Sequence, residues 1–238
     1  MIRLWVEKVE KSFPNVKGAS LSLSQPADAT HLVVCIVGAH GAPTMAGRTH
    51  LWTANVGIST HRLWAWQGDG TVPSADVSWV GDRGDVILFS FAGFQTSTPT
   101  ILFDDGSAQT TATTAPVPGA TSPAGSHAIL TLVALQNGVG SLTLTGEGWA
   151  TTQPMAEWDR VKAAALVQEG AATPPGVWEW GIGRTYRRVM LAWPAEMPAE
   201  IPPPQEIASL SMLGDMPVVA RYLGDAPVWR AGNLGSNT

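Results

Sequence analysis

The side chains that chemistry would draw on here are five histidines, one cysteine and a few paired carboxylates. The histidines stand at 31, 40, 50, 61 and 127, and no two fall at the i,i+4 spacing that would put a ligand pair on one helix face. A metal site built from His40, His50 and His61 would depend on the fold alone to gather it, so no metal ligands are expected. Asp104-Asp105-Gly106 offers two adjacent carboxylates for catalysis or for calcium, which wants several oxygen ligands. A tight Asp-Asp-Gly turn accounts for the same residues with less. Arg83-Gly84-Asp85 spells a cell-adhesion tripeptide, but the matching stretch described below reads Arg184-Thr185-Tyr186, and a turn is the better account. Cys35 lies within the apolar run HLVVCIV, where a free thiol behaves as a small buried residue and no internal disulfide is available to it. There is no phosphate-binding glycine loop, HExxH, CxxC or GxSxG, and Gly138-x-Gly140 and Gly181-x-Gly183 lack a third glycine and a following helix. The expectation is therefore no catalytic residue, no cofactor and no enzymatic activity.

Tryptophan carries more information. There are eleven tryptophans against two tyrosines, and Trp64, Trp66, Trp79, Trp178 and Trp180 fall on or beside apolar strand patterns. Exposed in a row, they would stack on sugar rings; turned inward, they would fill a core or a subunit interface. Packing is favoured, because Trp79 and Trp180 recur at matching places.

That recurrence organises the chain. Arg62 to Phe94 and Ala163 to Ala195 share Gln67 with Gln168, Pro73 with Pro174, Trp79 with Trp180 and Arg83 with Arg184, at a constant separation of 101 residues. A histidine-led apolar strand precedes each copy, from His31 and from His127. Turn residues punctuate the sequence every 8 to 12 positions or so, which favours many short strands. The expected fold is an all-β sandwich built from two matched halves over residues 1–195. Period-two alternation starts it at Ile2, Leu4 and Val6, and Leu32 to Val37 reads as a strand covered on both faces. Asn137-Gly138 is expected to close a hairpin. Residues 107–126, rich in Thr, Ala, Pro and Ser, are expected to be a long exposed connection. Over Met155 to Gln168 propensity favours a helix and the duplication favours a strand; the strand is the expectation. Residues 196–206 form a proline-rich linker, and 207–238 hold a ten-residue repeat, LGDMPVVARY from Leu213 and LGDAPVWR from Leu223, with short strands at Val218-Val219 and Val228-Trp229.

A net charge of −5 argues against a nucleic-acid partner. Lys8, Lys11 and Lys17 are diluted by Glu7 and Glu10, and Arg184, Arg187 and Arg188 read as a solvated strand face. No apolar stretch has the length of a membrane span, and MIRLWVEKVE has no signal-peptide core, so synthesis in a cytoplasm without membrane insertion is expected.

In the second half an apolar strand, a hairpin, the turn Gly146-Glu147-Gly148-Trp149 and a Trp-bearing strand follow one another. This resembles the jelly-roll domains of virion proteins in tailed bacteriophages. The ending, Arg221-Tyr222-Leu223-Gly224-Asp225-Ala226-Pro227-Val228-Trp229, resembles the tails of minor tail proteins from phages of actinobacteria. The likeness spans residues 20 to 195 loosely and the last 20 or so more sharply. It implies a jelly-roll-like sandwich and a structural role in a virion, as a minor tail or tail-tip protein, made in the host cytoplasm. It brings no catalytic motif. The implied partners are other virion subunits and copies of itself, with Tyr222, Val228 and Trp229 as candidate docking residues. A head decoration protein and a glycan-binding receptor module facing the host surface are the alternatives.

Overall fold

A computed structural model describes residues 7–94, 96–151, 159–194, 218–223 and 226–231. The chain divides into two compact units, Met1–Pro198 and Ala199–Thr238. All regular structure among the described residues is β.

The first unit holds the two matched halves, and each contains a full set of strands. In the first half these are β1 (Glu7–Pro14), β2 (Gly18–Ser22), β3 (His31–His40), β4 (Thr44–Met45), β5 (Trp52–Val56), β6 (Ser59–Gln67), β7 (Ser74–Ser78) and β8 (Arg83–Ala92). They form a five-stranded sheet, β1-β8-β3-β6-β5, and a three-stranded sheet, β2-β7-β4. This is jelly-roll order, except that β5 pairs with β6 and not with β4.

The second half repeats it with β9 (Thr100–Asp104), β10 (Gln109–Pro116), β11 (Ser126–Val139), β12 (Leu142–Thr145), β13 (Ala150–Thr151), β14 (Asp159–Glu169) and β15 (Val177–Pro194). The long β15 does the work of two strands. Its first part pairs with β10 and β12, and its last part with β9 and β11. β14 lies on the far side of β11, with β13 beyond it. The expected all-β sandwich character is thus present, but the two matched halves do not share one sandwich: each half has the whole jelly-roll pattern of its own.

Alternation explains the layering. Along β3, Leu32, Val34 and Ile36 face the second half, whereas Val33, Cys35 and Val37 face β2-β7-β4. Along β11, Leu130, Leu132 and Ala134 face the first half, and Ile129, Val133 and Leu135 pack under Trp178 and Trp180. Both strands are covered on two faces, which is why they read as unbroken apolar runs. Three cores result in one unit, one inside each roll and one between the rolls. Fully burying one such Val, Leu, Ile or Phe contributes about 1.5–3 kcal/mol.

Several expectations are corrected. Residues 107–126 are not an unstructured connection. β10 occupies Gln109–Pro116, pairs with β15, and turns Ala115 and then Val117 inward. Its inward positions are small and its outward face is solvated, so it lacks the apolar mark of a strand. Asn137-Gly138 is not a hairpin turn: β11 runs on through Val139, and β12 pairs with β15 instead of β11. The strand reading prevails over the helix from Asp159 to Gln168, while 152–158 lie outside the described residues. The constant separation of 101 does not hold in space either. Ala65 pairs with Val34, whereas Ala165 pairs with Leu130, and both pairs face the central core. β6 and β14 are therefore equivalent at a separation of 100, and the 101 match would turn β14 inside out.

The second unit contains an antiparallel pair, β16 (Val218–Leu223) and β17 (Ala226–Ala231), at the two short strands expected there. The Gly224-Asp225 turn between them, the linker 196–206 and the alternating start at 2–6 lie outside the described residues.

Candidate functional site

Several buried polar side chains of the first unit, His61, Asp85 and Arg160 among them, lie on the seam between the rolls. Gly38 of β3 lies between Asp85 of β8 and His61 of β6 on one rung of the sheet. A Cβ on Gly38 would lie 2.6 Å from His61 Nδ1, so the missing side chain makes room for the imidazole. Asp85 is fully buried. It accepts the Arg160 backbone N–H at 2.9 Å and the Arg160 guanidinium at 3.3 Å on each oxygen. His61 Nε2 donates to the Leu135 carbonyl at 3.0 Å, and Nδ1 has no hydrogen-bond partner. Burial, chiefly, pushes His61 down to about 3; the Leu135 hydrogen bond works the other way, and the nearby Arg160 charge adds to the fall. Ser59 Oγ donates to the Gln136 carbonyl beside it at 2.6 Å.

The other end of the seam is an arginine–carboxylate pair of the bidentate kind. Arg187 holds Asp104 through Nε and Nη2 at 2.8–3.0 Å and donates to the Thr53 carbonyl at 3.3 Å. Trp52 Nε1 donates to the same carboxylate at 3.0 Å. Next to it, Arg188 holds Asp105 at 2.9 Å and donates to the Pro116 carbonyl at 2.7 Å. Asp105 and Gly106 do make the expected turn, with Gly106 at φ +71. Arg187 and Arg188, however, are not a solvated face; their side chains are 14% and 13% exposed and tie β15 to that turn.

The remaining candidates are placed as follows. Arg83-Gly84-Asp85 opens β8 and Asp85 is buried, so the tripeptide is neither a turn nor an adhesion loop. Burial raises the Cys35 thiol far out of the range in which it would react. His40 faces Asp82, His50 stands edge-on to Trp64, and His61 is in the seam; among the described residues no three His, Cys, Asp or Glu side chains gather as a metal site. The tryptophans pack inward. Trp64, Trp79, Trp178 and Trp180 are buried, and Trp66 is half-buried beneath the Arg48 guanidinium, 4.0 Å from its ring. Trp79 and Trp180 do the same work in each roll, donating Nε1–H to the Val16 and Ala112 carbonyls at 2.9 and 2.8 Å.

The chain matches no family model, no curated protein and no solved structure. Geometry therefore carries the functional reading. Asp85, Asp104 and Asp105 are each held by an arginine, the seam imidazole is neutral and enclosed, and the thiol is buried. Asp85–Arg160, with the Trp52 hydrogen bond to Asp104 and the Arg187 hydrogen bond to the Thr53 carbonyl, joins the two rolls, while Arg188–Asp105 ties β15 within its own roll. The arrangement sets no nucleophile beside a base among the described residues.

Tyr222, Val228 and Trp229 all lie on the β16–β17 pair. In register, Tyr222 opposes Pro227, Val228 opposes Arg221 and Trp229 opposes Ala220. One feature was missed in the sequence: the solvent face of β10-β15-β12, where Glu179 lies between Thr114 and Thr143. The alternation in TTATTAP, LTLT and VWEW carries its signal, legible only once the strands are paired.

Proposed function

We propose that this protein is a structural subunit of a tailed-phage virion, a minor tail or tail-tip protein that works by protein–protein contact and not by catalysis. One observation carries the reading: the second unit holds a two-stranded pair of six residues each, a size that is marginal in water on its own. Its sequence is nonetheless apolar, with Val218, Val219, Leu223, Val228 and Trp229. Such a segment gains its stability by adding to another surface, through strand addition or an aromatic anchor. The first unit suits a scaffold, since its tryptophans fill the cores of the two rolls and the buried Asp85–Arg160 pair joins one roll to the other. The likeness of the ending to phage minor tail proteins supplies the class of assembly. Its partners are other virion subunits and further copies of itself, and its place is the virion.

The test is incorporation. A chain lacking 207–238 should melt like the full chain over the first unit, yet be missing from purified particles by mass spectrometry. Truncated protein present at the full-length level would refute the docking role, and an electron-microscopy map of the particle would place the subunit or show that it has none.

A further inference from the structure

We propose that the solvent face of β10-β15-β12 binds carbohydrate, with the Glu179 carboxylate accepting from neighbouring hydroxyls of a sugar ring. A shallow groove of about 470 Å³ opens there, and Glu179, Thr114, Thr143, Ser141 and Gly181 line it. Glu179 shares one rung of the sheet with Thr114 of β10 on one side and Thr143 of β12 on the other. Directly opposed side chains on such a rung stand about 4.5–5.5 Å apart at Cβ, the scale of a sugar ring. The carboxylate is an acceptor with two oxygens, and each threonine hydroxyl both donates and accepts. A vicinal diol brings two O–H donors to the carboxylate and oxygens that accept from the threonines.

Glu179 differs from the structural carboxylates of this chain. Asp85, Asp104 and Asp105 each carry an arginine, whereas no hydrogen bond or ion pair engages Glu179 among the described residues. Other ligand classes fit less well. One carboxylate is far short of the six to eight oxygens that calcium takes. An anionic polymer would be repelled, and an apolar partner would meet hydroxyls. The indole of Trp180 is 3% exposed and its N–H is spent on Ala112, so the sugar is held by hydrogen bonds and not by stacking.

The first roll lacks an equal site, although Asp76 is exposed at the corresponding strand. Ser20 flanks it on one side, but β4 ends at Met45, opposite Val77, and leaves its other side unflanked. The nearby hydroxyls of Thr44 and Ser78 are spent on each other at 2.9 Å. The proposal does not rest on the virion reading, because it concerns the isolated chain.

Sites of this kind are weak singly and gain by multivalency. The full chain, biotinylated and displayed on streptavidin tetramers, would be applied to a printed array of defined oligosaccharides. Each hit would then be titrated as the free sugar by saturation-transfer NMR. Binding of a subset of sugars is expected, with Glu179→Gln and the double variant Thr114→Val/Thr143→Val weakening it about tenfold or more. Gly181→Phe should abolish it by filling the groove, since a side chain there meets nothing within 4 Å of its Cβ. Asp76→Asn should bind as the parent does. All four changes lie on exposed surface, and melting curves would confirm that the folds are intact. No sugar bound above streptavidin alone, or binding unchanged by Glu179→Gln and Gly181→Phe, overturns the proposal.

Discussion

Removing the Asp85 carboxylate should loosen the joint between the two rolls. Asp85 belongs to β8 of the first roll and Arg160 to β14 of the second, and their side chains are 0% and 3% exposed. In Asp85→Ala the Arg160 guanidinium loses its counter-charge in a place water does not reach, and the Arg160 backbone N–H loses its acceptor. Breaking a buried pair from one side costs about 3–5 kcal/mol. For a chain of this size each kcal/mol is worth about 2–4 °C, so the midpoint should fall by roughly 6–20 °C. Arg160→Met should also destabilise, by leaving the carboxylate with less than its full complement of donors. The double variant should cost less than the two single losses combined, because no charge is then stranded. Urea titration of the four proteins gives the coupling, and hydrogen exchange should show protection lost first at β8 and β14. A loss below about 1 kcal/mol for Asp85→Ala, or single effects that add within about 0.5 kcal/mol, would refute the claim that this pair clamps the rolls.

Three further outcomes follow from the same geometry. Trp79→Phe and Trp180→Phe each strand a backbone carbonyl, at Val16 and Ala112, and should cost similar amounts of about 1–3 kcal/mol in denaturant titrations. His61 stays neutral when folded down to about pH 3, whereas the unfolded chain protonates it near 6.5. Its contribution should therefore be full above pH 6.5 and be lost as pH falls toward 3, at about 1.4 kcal/mol per unit; His61→Gln, which can still donate to Leu135, should flatten that part of the stability–pH curve. Cys35 is fully buried, so labelling by a thiol reagent should be negligible in the native protein and complete in guanidinium; rapid native labelling would contradict its placement.

Legibility in the sequence tracked how many faces of a strand are covered. β3, β8 and β11 are buried on both sides, and their apolar runs announced them. β10 faces solvent on one side and small core positions on the other, so its Thr-Ala-Thr-Thr-Ala run resembled a linker, although it pairs with β15 as a full strand. The duplication was visible through Trp79 and Trp180 because one hydrogen bond from the indole N–H, to the loop entering β2 in the first roll and to β10 in the second, is needed once per roll. Its fixed separation of 101 failed at β6 and β14, because a shift of one residue leaves the letters similar and inverts the faces. Charges were the least legible. Arg187 and Asp104 are 83 positions apart, and Asp85 and Arg160 are 75 apart, so nothing local marks them as pairs. Glu179 belongs to the same class, since its threonines come from β10 and β12 and meet only in register. The two rolls meet through the central core and the Asp85–Arg160 pair, and of their outer three-stranded faces only the second, among the described residues, surrounds an unengaged carboxylate with hydroxyls on both sides. The proposed sugar contact belongs to that face, and the proposed contact with neighbouring subunits to the β16–β17 pair.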